Sequence, residues 1–166
     1  MKKTISFLLF IFCILHFALC TYATELKGGV TYTVDSARKY VQEGLEANAN
    51  ILGPYLLQVD NVEKIVYSRN NNGDVVGITV QYKGEPNKAY IYDSKNRLIY
   101  VDKYDKPVNI YPHRGYRYNL DGKLILTSLT VSKTEMFRFD PQGKLIAHSI
   151  NGIIYDEDGN IIGNGK

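Results

Sequence analysis

The sequence predicts a mainly β protein: an antiparallel β-meander of repeated hairpins with one N-terminal amphipathic α-helix. Three observations carry that prediction. From Val62 onward, short β-rich runs such as "VEKIVYS" and "VVGITVQYK" alternate with turn residues such as "NNNGD" and "GEPN". The connections are only a few residues long, whereas a parallel crossover takes about a dozen or more, so neighbouring strands run antiparallel. Fourteen tyrosines and six phenylalanines, with no tryptophan, weight the aromatic complement toward a residue that favours strands and can keep its hydroxyl at water.

The chain opens "MKKTISFLLFIFCILHFALCTYATE", with Lys2 and Lys3 ahead of a mostly apolar run from Ile5 to Cys20 and the small-residue site at Ala23. That is the layout of a secretory signal peptide, with cleavage after Ala23. The run falls short of the roughly 20 residues a membrane-spanning helix needs. Leu19 is a poor fit before a lipidated Cys20, so lipid attachment is not expected. Cleavage removes Cys13 and Cys20 and leaves 143 residues (166 minus 23) without cysteine, which excludes disulfides and thiol chemistry. It also lowers the formal charge from +3 to +1, because Lys2 and Lys3 leave, and removes any electrostatic case for nucleic acid. The expected organisation is a signal peptide at 1–23, a helical segment at 24–60 and a hairpin region at 61–166, the last two forming one domain in the periplasm or outside the cell.

In "DSARKYVQEGLEANANI", Ala37, Tyr40, Val41 and Leu45 stand at helical spacing, and Asp35 or Ser36 is placed to cap the first turn. A helix is expected from Asp35 to about Ile51, despite Gly44. Pro54 then ends it.

The hairpin region writes one phrase four times: "YIYDSKNRLI", "YRYNLDGKLI", "FRFDPQGKLI" and "IIYDEDGNII". Asp or Asn at the first turn position, with Gly or Asn three residues later, is the chemistry of a type I turn closed by a left-handed residue. The structural turn residues are therefore Asp93 with Asn96, Asn119 with Gly122, Asp140 with Gly143, and Asp156 with Gly159. This turn sets a register in which Tyr92 faces Leu98, Tyr118 faces Leu124, Phe139 faces Leu145 and Tyr155 faces Ile161. Weaker copies stand around Gly73 and Asp105. Turn positions 73, 96, 105, 122, 143 and 159 are unevenly spaced, unlike the fixed period of a solenoid.

These phrases resemble degenerate YD repeats, the Tyr-Asp hairpin repeats of Rhs-type toxins and related large extracellular proteins, over about residues 89 to 163. In that family long arrays form a β-sheet shell, with enzymatic cargo in separate domains. The resemblance thus implies a β scaffold without catalysis of its own. The array here is short and uneven, which argues against an enclosing shell.

Little in the sequence points to chemistry. Neither His113 nor His148 belongs to a nucleophile elbow or a metal-spaced pair; a turn histidine and a surface strand histidine are expected. The acidic turns do not fit a calcium loop: with Gly159 sixth, Ile154 falls first and Gly165 twelfth. No cofactor is expected. Binding residues are sought in the loop from Asp102 to Gly115, which breaks the repeat with Asp105, Pro107 and Pro112. Tyr104, Tyr111, His113 and Arg114 are the candidate contact residues, able to stack on and hydrogen-bond to a protein or glycan partner. The functional expectation is an exported, non-catalytic binding or envelope-associated module. The alternatives are a small secreted hydrolase with its site near His113, and a toxin immunity or inhibitor protein.

Overall fold

The computed structural model describes residues 31–164, so the export signal expected at residues 1–23 lies outside the described part. The chain divides into two units, residues 1–36 and 37–166. The first ends in the opening turn of helix α1 (Val34–Gln42). There the Ser36 N–H donates to Thr33 Oγ1 at 3.2 Å while the Thr33 N–H donates to Ser36 Oγ at 2.8 Å. This reciprocal pair is a capping box. The N-cap is Thr33, and Ser36 supports it from the third helical position.

The helix stops at Gln42 and does not continue to about Ile51. Gly44 costs a helix about 1 kcal/mol against Ala, and the residues after it make better bonds when extended. Ala49 N–H donates to Gly122 O at 2.9 Å, and Leu124 N–H donates to Ala47 O at 3.0 Å. Farther on, Leu57 N–H reaches Asn96 O at 3.0 Å and Leu98 N–H reaches Tyr55 O at 2.8 Å. Residues 43–58 are a strap laid across two hairpin ends.

The sheet comprises β1 (Val62–Arg69), β2 (Val75–Tyr82), β3 (Lys88–Asp93), β4 (Leu98–Tyr104), β5 (His113–Tyr118), β6 (Leu124–Thr130), β7 (Glu135–Phe139), β8 (Leu145–Ile150), β9 (Ile153–Tyr155) and β10 (Ile161–Asn164). Spatial order equals chain order, and each strand runs antiparallel to the next. The turns explain why. Asp93 Oδ1 accepts the N–H groups of Lys95 and Arg97. Asn119, Asp140 and Asp156 do the same for the residues two and four positions on. Asn96, Gly122, Gly143 and Gly159 take positive φ of 62°, 76°, 85° and 82°, and the partners across each mouth are Tyr92–Leu98, Tyr118–Leu124, Phe139–Leu145 and Tyr155–Ile161. The Asp105 stretch forms no such turn; its carboxylate instead takes the Arg114 N–H at 2.7 Å.

Alternation along the strands gives the sheet two unlike faces. One carries the core: Ile78, Val80, Tyr82, Tyr90, Tyr92, Leu98 and Val101 form one buried cluster, and Tyr116, Tyr118 and Leu124 another. Ile51 of the strap packs against both. Buried tyrosines need partners for their hydroxyls, and carbonyls of the helix end and the strap lie within reach of them. Tyr116 donates to Val41 O at 3.1 Å, Tyr118 to Glu46 O at 3.2 Å and Tyr92 to Pro54 O at 3.1 Å, while Tyr90, 3.3 Å from Leu52 O, has its shorter bond to the Glu85 carboxylate at 2.7 Å. On the third hairpin the helix takes over, with Arg38 Nε donating to Gly143 O at 2.6 Å and its guanidinium over the Phe139 ring.

His148 is not a surface strand residue. Its position opposite Phe137 puts it on the core face, where its ring stacks on Phe137 at 3.8 Å and Nε2 meets the buried Glu135 carboxylate at 3.0 Å. Register, which hydropathy alone does not reveal, decides this.

Candidate functional site

With one face covered by helix and strap, chemistry concentrates on the other. The residues between the core aromatics are forced there: Arg117 lies between Tyr116 and Tyr118, and Arg138 between Phe137 and Phe139. A pocket of about 210 Å³ opens on this face, lined by residues of β2 and β4 to β7, among them Thr79, Asp102, Arg117, Ser128 and Arg138. Strands that far apart meet one pocket only because the sheet curls toward this face, as the right-handed twist of many-stranded sheets promotes. Val108, from the loop before β5, closes one side.

The centre of the pocket is an ion pair. Arg117 Nε and one terminal nitrogen donate to the two oxygens of Asp102 at 2.7 and 2.8 Å, a bidentate pairing. Tyr104 Oη donates to Asp102 Oδ2 at 3.3 Å, and the Arg117 guanidinium also lies over the Tyr100 ring at 5.6 Å. The Asp102 hydrogen bonds raise the pKa of Arg117. Tyr104 is raised as well, by burial and then by the Asp102 charge.

Arg138 stands differently. Among the described residues it has no hydrogen-bond or ion-pair partner and its side chain is exposed; its pKa is lowered, first by desolvation and then by Arg117, against the raising pull of the nearby Asp102 charge. Register places it in a cross-strand row with Ser128, Gly115 and Tyr104. Gly115 makes the floor of that row: a Cβ there would lie 2.6 Å from Ser128 Oγ and 3.0 Å from the Tyr104 ring.

The four loop residues singled out from the sequence are divided by the structure. Tyr104 lines the pocket, and buried His113 lines it too, flanked by the rings of Tyr104 and Tyr111 at centroid distances of 5.4 and 5.5 Å. Tyr111 is exposed and is not among the residues that line the pocket. Arg114 faces the helix side: it pairs with Asp105 at 2.8 Å and lies over the Tyr40 ring at 4.9 Å, tying the loop to α1. The loop expected from Asp102 to Gly115 is shorter, because β4 runs to Tyr104 and β5 begins at His113; Arg117 and Arg138 escaped the loop-based reading because they sit inside strands, and their motif position between two core aromatics was the signal that could have found them.

His113 Nδ1 donates to Ile110 O at 3.0 Å, and Ser128 Oγ donates to Gly115 O at 3.5 Å. Each is thus committed to the backbone and neither to the other. Among the described residues no group of three or more His, Cys, Asp or Glu gathers to hold a metal. What this pocket offers is positive charge and hydroxyls around a curled sheet. Compared with protein-family models, with curated proteins and with solved structures, the chain has no match.

Proposed function

We propose that this chain is an exported, non-catalytic β-repeat protein that binds a partner in the bacterial envelope or outside the cell through the polar, curled face of its sheet. The observation that carries the reading is the inequality of the faces. One is sealed by tyrosine hydroxyls bonded to the chain's own helix end and strap, and the other keeps a pocket with an unpaired guanidinium. Kinship with YD repeats is part of the proposal. It is supported by the shared bonding of the turns at Asn70, Asp93, Asn119, Asp140 and Asp156, in each of which a side-chain oxygen accepts N–H groups two and four residues on.

The test is site-specific photo-crosslinking in a bacterium expressing the chain with its own N-terminus. The protein should be recovered from the periplasm or medium beginning at Thr24. A crosslinker at Met136, in the pocket, should trap a partner that excess unlabelled protein competes away, whereas one at Leu52, exposed on the strap, should not. Retention in the cytoplasm, or trapping from Leu52 alone, would sink the proposal.

A further inference from the structure

The charges in the pocket do not balance. Arg117 and Asp102 neutralise one another through two short hydrogen bonds, which leaves Arg138 as a positive charge that no described carboxylate contacts. A guanidinium presents a planar fork of donors matched to a carboxylate. Arg138 is exposed, yet it lines a concave pocket whose wall also carries the Ser128 and Thr130 hydroxyls, so an anion bound there meets donors beyond the one guanidinium.

The pocket also limits what the anion can be. Because Asp102 and Arg117 neutralise one another, the pocket presents the single net positive charge of Arg138, which a monoanion balances and a dianion such as phosphate exceeds. A volume of about 210 Å³ holds about seven waters at liquid density, which suits a small acid or one chain end. The wall is mixed: Leu126, Val108 and Met136 offer apolar surface, and Ser128 and Thr130 offer hydroxyls.

We infer that the pocket binds a small monocarboxylate, with Arg138 as the residue that pairs with the carboxylate and Ser128, its cross-strand neighbour, beside it. This rests on the reading of the curled face as a binding surface and names the ligand class for it. The Asp102–Arg117 pair then acts as a positioning element, holding Arg117 away from the ligand and leaving Arg138 as the one net charge for it to meet.

The test is titration of the folded protein followed by NMR, with N-acetylalanine, its neutral amide, inorganic phosphate, and a tetrapeptide with a free C-terminal carboxylate. N-acetylalanine should shift the pocket amides saturably, and the neutral amide and phosphate should bind at least tenfold more weakly. Arg138→Gln should weaken N-acetylalanine at least tenfold without lowering the melting temperature, since Arg138 holds no protein partner. Arg138→Lys, which keeps the charge but loses the fork, should fall between. A peptide that binds more tightly than N-acetylalanine identifies a chain end as the source, and equal binding identifies a free acid. Saturation by the neutral amide at equal affinity, tighter binding of phosphate, no shift with N-acetylalanine, or an Arg138→Gln variant that binds like the parent would each overturn the inference. Failure here with crosslinking from Met136 intact removes the ligand class and leaves the binding reading standing; failure of both removes both.

Discussion

Gly73, Gly122 and Gly143 share a left-handed backbone, with φ of +87°, +76° and +85°, and differ in what stands next to them. A Cβ on Gly73 meets nothing, one on Gly143 meets the end of the Gln42 side chain, and one on Gly122 meets the backbone carbonyl of Ala49. Alanine at Gly73 therefore brings backbone strain alone, roughly 1 kcal/mol. At Gly143 the flexible amide of Gln42 has to move as well, a small addition. At Gly122 the strap itself is displaced and its hydrogen bond to Gly122 O broken, so the loss should reach about 3 kcal/mol. Urea denaturation of the three variants checks the order. Equal losses would mean that the strap does not rest on the second hairpin. The same scale explains the pocket: the residue between core aromatics is Ile91 in one copy but Arg117 and Arg138 in two others, and alternation turns whatever stands there to the open face.

The strap is the element that makes a single sheet layer into a packed structure. A sheet buries a face only against something, and here residues 43–58 supply both apolar side chains and carbonyl acceptors. Each buried tyrosine hydroxyl bonded to the strap or, as Tyr116 is, to the helix end that leads into it should contribute about 1 kcal/mol. Replacing Tyr116 and Tyr118 together by Phe should then destabilise by about 2 kcal/mol and speed hydrogen exchange at Ala49 N–H, which is bonded to Gly122 O, more than at the β2–β3 amides. Uniform acceleration across the sheet would show that the strap and sheet open as one unit. The helix has a narrower role. Its short length and capped start fit a plug for the third hairpin, where Arg38 reaches Gly143 and Phe139.

At the scale of the whole molecule, the tyrosine core sets a limit at alkaline pH. Burial is the largest cause in raising the pKa of Tyr90, Tyr92, Tyr104, Tyr116 and Tyr118, with Tyr116 pushed up to about 12. An unfolded tyrosine ionises near about 10, so above that pH the unfolded chain sheds protons that the folded chain keeps. The stabilisation is complete below about pH 10 and is lost as pH climbs through the folded values. The melting temperature should hold steady to about pH 9 and fall steeply between about pH 10 and 12, in step with the tyrosinate absorbance. A flat profile across that window would show that these hydroxyls ionise as readily folded as unfolded.

Local chemistry determined what the sequence could say alone. An Asp or Asn side chain bonding two and four residues on, with a left-handed residue between, involves only neighbours in the chain; the hairpins, their register and the antiparallel order were therefore legible from "YDSKNRL" or "FDPQGKL". The helix was legible in kind and not in extent, because residues 43–51 choose between their own backbone and the carbonyls and amides of Gly122 and Leu124, some seventy positions away. His148 went the same way, since its exposure depends on lying opposite Phe137. The pocket was the least legible of all. Asp102 and Arg117 are direct cross-strand partners on β4 and β5, Arg138 comes from β7, and only the assembled sheet brings the three to one pocket.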